Sequence, residues 1–467
     1  MDQSFISQPA SVPGSEALAD LLDRIRFESI PASAVAAAKR LILDSLACMY
    51  GGSQMAQGRQ MTELMTPLSG PGRSTVAGSA RRLASLQAGY LNAYLANLLD
   101  FDDTYFGHPG ATVIPPALAL AEELGLDGRQ LLVAVAGGYE VGLRIADAIK
   151  PSRPRLKKVM GLSTWQVFCA AAAAAKALGL NRDQIVQALS LAAHHAQVPS
   201  VRKLGLRIRR AHWLKNNYGW AVMGGILAAL SAGQGFIGDP SVFDGPTGFW
   251  VMAGSDRYRP AALSPALPQV WAVERVSIKP YSACRHINPT LDAVYALAGP
   301  GRLAPENIKK INVFSFFELA ENYNFFPEEP FSIPFSAPCL IALALLGLPT
   351  GLAWFDPAHL TDPRVRGLAE RVSIHDWAEA DRLYSRVKRE LISRVIIETA
   401  AGERLEAMVR LPKGDPRNPL SDQELGAKFL SLVEPVLGAA KAARLRAAVL
   451  NLEEVEDWAR LSRDLTA

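Results

Sequence analysis

Between residue 14 and about residue 265, apolar side chains recur every three or four positions, in runs broken by Gly, Pro or polar clusters. That period predicts helix after helix, each burying one face. "IPASAVAAAKRLILDSLACMYGG" predicts a helix with Pro31 near its first turn and Gly51 and Gly52 at its end. "QLLVAVAGGYEVGLRIADAI", "WQVFCAAAAAAKALGL" and "YGWAVMGGILAALSAGQGF" keep the same spacing. Their many Ala and Gly residues allow helix axes to approach closely, as a tight bundle requires.

The period changes near residue 267. "VERVSIKPYS" and "KKINVFSFFE" alternate as strands do, and "SRVIIETAAGERLEAMVRLP" predicts a hairpin turning at Ala401-Gly402. Pro330 to Phe355 carries no charge, but its prolines and short apolar run predict a buried helix behind a Pro-rich loop, not a membrane span. After "LPKGDPRNPL", Ser421-x-x-Glu424 has the form of a capping box that opens further helices. The expected fold is mainly α with an α+β second domain. Residues 1–266 and 401–467 form a large, discontinuous helical domain, and residues 267–400 the smaller one.

At 467 residues the chain is long for a single core, and 49% apolar residues supply two. Its 49 basic and 45 acidic residues are well mixed, so the net charge of +4 gives little support to a nucleic-acid or membrane partner but tolerates an anionic small molecule. Cys48, Cys169, Cys284 and Cys339 are far apart with no C-x-x-C pair, which suggests neither a metal site nor a disulfide framework and fits a reducing cytoplasm. The first residues show no basic-then-apolar secretory pattern.

Three groupings carry candidate chemistry. "LLDFDDTYFGHPGATVIPPALAL" sets Asp100, Asp102, Asp103 and His108 before an expected amphipathic helix. Two readings stand: a polar loop that caps the helix, or an anion site at a helix start with His108 as proton carrier. "VRKLGLRIRRAHWLKNNYGWA" is a basic run whose default is a solvated loop. Lys215 differs, standing at the mouth of an apolar helix where desolvation favours a neutral amine. "VSIKPYSACRHINP" places Lys279, Tyr281, Arg285 and His286 after a strand, where they line either a cleft or an ordinary loop. Mg²⁺-dependent diphosphate chemistry is disfavoured, because "DFDDTYF" lacks the last acid of a DDxxD array.

Taken together, "LLDFDDTYFGHPG", "GYEVGLRIADAI", "AAAAAAKALGL", "KPYSACRHINPTLDA" and "FSIPFSAPCLIALALLG" resemble the MmgE/PrpD family over nearly the whole chain. That family includes 2-methylcitrate dehydratases, cis-aconitate decarboxylases and iminodisuccinate epimerases. The resemblance implies a homodimer with no metal or organic cofactor, acting on a small polycarboxylate in a site between the domains. It implies Asp100, His108, Lys215 and Lys279 as catalytic residues, with Lys279 or Lys215 as base, His108 as acid and Asp100 orienting His108 or Lys215. Asp103, Thr104, Tyr281 and Arg285 are then the substrate-binding residues. Two departures stand out: Met160 falls where many members carry a histidine, and Phe335 where decarboxylating members carry a tyrosine. His286 and Asn288 share the neighbourhood of a second family histidine. The reading is a lyase or isomerase, 2-methylcitrate dehydratase-like, with an epimerase, a decarboxylase or a non-catalytic carboxylate binder as alternatives.

Overall fold

The computed structural model describes residues 12–156, 158–159, 164–197, 214, 216–298, 303–384 and 390–466. The principal helices of the first half are α1 (Gly14–Arg24), α2 (Ala32–Ser53), α3 (Ser85–Leu98), α4 (Gly110–Leu124), α5 (Gly128–Ala148), α6 (Gln166–Ala177), α7 (Arg182–Ala192) and α8 (Tyr218–Gly233). The second region adds α9 (Asn288–Leu297), α10 (Phe317–Asn322), α11 (Ala337–Leu345) and α12 (Ala378–Tyr384). The chain closes with α13 (Asp422–Leu437), α14 (Ala439–Leu450) and α15 (Trp458–Thr466).

Small residues set the packing of the helical part. Every residue of α6 from Gln166 to Ala175 is buried, between α5 and α8. α2 runs through Gly51 and Gly52 to Ser53 instead of ending there. Gly52 is a packing residue: a Cβ on it would lie 2.1 Å from the Leu95 carbonyl oxygen of α3. α4 is buried all round from Gly110 to Glu122, so the amphipathic helix expected here is a central one, enclosed by its neighbours.

Two sheets interrupt the helices. β1 (Pro71–Thr75) and β2 (Arg82–Leu83) make a short antiparallel pair that the sequence pattern did not announce. β3 (Ile308–Ser315), β4 (Val372–Asp376), β5 (Ser393–Thr399) and β6 (Arg404–Val409) form a four-stranded sheet in the order β4-β3-β5-β6, with β3 parallel to β4 and antiparallel to β5. The hairpin turns where expected, with Gly402 at φ 84° and its N–H donating to the Thr399 carbonyl at 3.0 Å. Because β6 pairs with β5 along its length, a boundary at residue 400 would cut this hairpin; the sheet extends to Val409.

"VERVSIKPYS" is not a sheet strand. After a short 3₁₀ turn (Ala272–Arg275), Ser277 makes one isolated antiparallel bridge, to Thr104 in the loop after α3. Its alternating pattern reflects an extended segment pinned between two other loops.

The C-terminal helices pack back on helices of the first half. Ser421 and Glu424 form the expected reciprocal cap, with Ser421 N–H donating to Glu424 at 2.6 Å and Glu424 N–H to Ser421 Oγ at 3.1 Å. α13 lies on α2, where Gln54 Nε2 donates to the Leu432 carbonyl at 2.9 Å and Lys428 Nζ lies 2.5 Å from Asp44. Among the described residues no helix is long and apolar enough to cross a membrane.

Candidate active site

The loop from Leu99 to Thr104 is held at successive residues by distant side chains. The Ser282 hydroxyl donates to the Leu99 carbonyl, Lys279 Nζ to that of Asp100, and Lys428 Nζ to that of Phe101 at 2.6 Å. Thr104 closes the loop through its two backbone bonds with Ser277, 2.8 and 3.0 Å. Asp100 takes a left-handed conformation, φ 49°, which an aspartate tolerates better than most residues. Its carbonyl and its carboxylate both meet the Lys279 ammonium, the carboxylate at 3.2 Å.

Lys279 reaches the loop from the extended segment. Ile278 N–H donates to the Gly414 carbonyl at 3.0 Å, and Gly414 (φ 85°) comes so close that a Cβ would lie 1.9 Å from the Ile278 oxygen. With Ser277 on Thr104 and Ile278 on Gly414, the Lys279 side chain has one way to go. It is 1% exposed, with Asp102 Oδ1 3.8 Å from its Nζ. Burial pushes this ammonium toward the neutral amine, but Asp100 and Asp102 outweigh it and hold the pKa above its ordinary value. That direction favours the ammonium form of Lys279, one of the two lysines named as base from the sequence.

His108, just before α4, joins the group. Its Nδ1 lies 3.1 Å from Asp102 Oδ1 and its Nε2 3.9 Å from Asp100 Oδ1, with the Tyr218 ring 5.8 Å away. Asp102 is thus the carboxylate hydrogen-bonded to the imidazole, while Asp100 is bonded to Lys279; the sequence had given Asp100 the role of orienting His108 or Lys215. Burial pushes the Asp102 carboxyl up, but His108 and Lys279 draw it below the usual carboxylate range. Asn97 steadies Asp102 by donating Nδ2 to both its oxygens at 3.0 and 3.1 Å, and accepts from Asn216 Nδ2 at 3.0 Å. Asn97, Asn216, Asn217, Tyr218 and Phe331 line a small cavity here. Lys215 and Met160 lie outside the described residues.

The expected substrate-binding residues are committed differently. Asp103 accepts from Tyr139 OH at 2.6 Å and from Gly110 N–H at 2.8 Å, which ties the loop to α5 and to the first turn of α4. Thr104 spends its hydroxyl on the Gly107 carbonyl at 3.0 Å. Tyr281 donates to Asp292 at 2.7 Å and stacks on Tyr295 and Trp354. These bonds hold the three groups to the protein around the cluster. Arg285 pairs with Asp415 at 3.4 Å. Phe335 is buried.

Sequence reasoning counted Asp102 among the acids of the loop without giving it a role, and passed over Asn97, Asp44 and Lys428. A signal existed for the last: Lys428 interrupts the apolar stripe Leu425, Phe429, Leu432 of α13, where a lysine without a buried partner would be costly. It donates to the Phe101 and Lys279 carbonyls, at 2.6 and 3.0 Å, and stands 3.8 Å over the Phe101 ring.

The cluster therefore sets an oriented imidazole beside a buried ammonium, with Asp102 bonded to the first and Asp100 to the second. Residues 16–260 match the MmgE/PrpD N-terminal domain, and residues 281–454 match the MmgE/PrpD C-terminal domain. The chain belongs to the MmgE/PrpD family. Family relatives include a cis-aconitate decarboxylase-like protein of Aspergillus oryzae, 26% identical over 97% of both chains. Mouse cis-aconitate decarboxylase is 26% identical over 96% of this chain and 92% of its own. The 2-methylcitrate dehydratase of Cupriavidus necator is 24% identical over 86% of each. The MmgE/PrpD relatives named here are thus a decarboxylase, a decarboxylase-like protein and a dehydratase.

Proposed function

We propose that this MmgE/PrpD chain is a lyase or isomerase that removes a proton from the carbon next to a carboxylate of a small di- or tricarboxylate. The observation that carries this reading is the His108–Asp102 pair set beside the Lys279 ammonium. Asp102 accepts the Nδ1 proton and so presents Nε2 as the acceptor. As Nε2 takes the proton from carbon, the electron pair left behind spreads into the adjacent carboxylate, where the Lys279 charge stabilises it. Loss of a β-hydroxyl as water then completes a dehydration, whereas return of a proton to the other face completes an epimerisation. Lys215 and Arg285 remain candidates for the second proton carrier and for a carboxylate clamp.

The test is turnover of 2-methylcitrate, cis-aconitate and iminodisuccinate, followed by NMR in D₂O with EDTA present. We expect conversion, or deuterium at the carbon next to a carboxylate, for at least one acid. His108→Ala should lower kcat by roughly 10²–10⁴-fold, and Asp102→Asn by about 10²-fold or more with KM little changed. Binding of an acid with neither conversion nor exchange would replace this reading with that of a carboxylate-binding protein. The family likeness also supports a homodimer.

A further inference from the structure

Lys428, on α13, has no part in the proton transfer above, yet it holds both segments that carry the reacting groups. It is 7% exposed, and three oxygens stand around its Nζ: Asp44 Oδ1 of α2 at 2.5 Å, the Phe101 carbonyl at 2.6 Å and the Lys279 carbonyl at 3.0 Å. An ammonium has three N–H donors and no acceptor, so oxygens from three separate segments suit it as they would suit no hydroxyl or amide. Asp44, fully buried, supplies the opposite charge that an ammonium needs at this depth.

We propose that the Asp44–Lys428 pair positions the site: through it α2 and α13 fix the spacing between the His108–Asp102 pair and the Lys279 ammonium. The inference rests on the function proposed above. The two carbonyls are the ones that govern this spacing. Phe101 stands in the chain between Asp100, which accepts from Lys279, and Asp102, which is bonded to His108. Its carbonyl belongs to the peptide unit that begins Asp102, so a bond to it controls where the Asp102 carboxylate stands. The other carbonyl is that of Lys279 itself. Lys279 is therefore tied to the loop twice, directly by its side chain on Asp100 and at its backbone through Lys428. Without the second tie the two segments can slide past one another while Lys279 stays paired with Asp100. The imidazole and the ammonium would then no longer face the same carbon and its carboxylate together. A misplacement of about 1 Å, caused by a change remote from the chemistry, costs on the order of 10²-fold in rate.

The test uses the full-length protein and separates position from stability. Asp44→Leu/Lys428→Met removes both charges, so no unpaired one is buried, but the two carbonyls lose their common donor. Its kcat should fall on the order of 10²-fold with KM little changed. Its unfolding should stay cooperative, nearer to the wild type than that of Lys428→Met. Lys39→Met is the control. Lys39, on α2, donates to the Leu450 carbonyl of α14 at 2.8 Å and pairs with Glu453, so it ties a C-terminal helix to α2 with no bond to either segment of the site. This variant should lose stability and keep the wild-type kcat. Wild-type kcat in the folded double variant would overturn the proposal, and so would an equal fall in Lys39→Met, which would make the effect a general loosening. If the double variant does not fold, Asp44→Asn replaces it, keeping the shape and removing the charge; a lowered kcat supports the proposal and the wild-type value overturns it. Should the wild type turn over none of the acids, the function fails separately, and position is read from the ¹⁵N resonances of His108. In the neutral ring the wild type should carry its proton on Nδ1, facing Asp102, and the double variant should show a mixture with the Nε2 form. The wild-type pattern in the double variant would overturn the proposal.

Discussion

Adjacent carboxyl groups in one loop are pushed in opposite directions. Asp102, facing His108 and Lys279, is held below the usual range, whereas burial raises Asp103, against Tyr139 and the start of α4, to about 8. The Asp103 carboxyl therefore binds its proton more tightly in the folded chain than in the unfolded one, where its ordinary value is 3.8. Its contribution to stability is complete below that value and is lost as pH rises through about 8. Asp103→Asn cannot ionise. Its melting temperature should fall less than that of the wild type between mildly acidic and mildly alkaline buffer, as thermal unfolding followed by circular dichroism would show. An equal fall in both would remove Asp103 as the source. The stretch "DFDDTYFGH" announced that acids and an imidazole meet, but not which acid serves which partner. The left-handed turn at Asp100 decides that, by sending successive carboxylates toward Lys279, His108 and Tyr139.

Helices α2 and α13 carry a buried pair, Asp44 and Lys428, beneath the loop that holds the cluster. Burial pushes the Asp44 carboxyl up even though Lys428 and Lys279 draw it down, so the pair is costly to separate. Lys428→Met leaves Asp44 and the Phe101 and Lys279 carbonyls without their donor. Urea unfolding should show a loss of roughly 3–5 kcal/mol, and the double variant Asp44→Leu/Lys428→Met should recover much of it. A single variant as stable as the wild type would mean that the pair contributes nothing. Helix positions were readable because their periodicity and caps are local: the Ser421 cap and the α6 run of alanines stand where the pattern put them. The extended segment before Lys279 was misread as a strand because alternation reports burial on one side without saying what covers it. Here the covering elements are single loop residues, Thr104 and Gly414.

Since α13 supplies Lys428, the cluster is assembled from residues near 100, near 279 and near 428, brought together only when the last helices return to the first domain. A chain ending before Ser421 should lose cooperative unfolding and all turnover, because it exposes the α2 face and removes the donor between the two loops; native-like melting of that fragment would contradict this. Sedimentation at micromolar concentration should give about twice the 50.3 kDa chain mass if the proposed homodimer forms, and a species at the chain mass would refute it. Local sequence set the helices, the hairpin, the reciprocal cap and the residue types of the cluster, since spacing and propensity act over a few neighbours. It did not set that Lys279 pairs with Asp100, that Asp102 bonds His108, that Asp103 and Tyr281 bond to distant groups of the protein, or that Lys428 joins the loops. Those depend on burial and on distances between groups far apart in the chain, and electrostatic energies follow such distances rather than sequence separation.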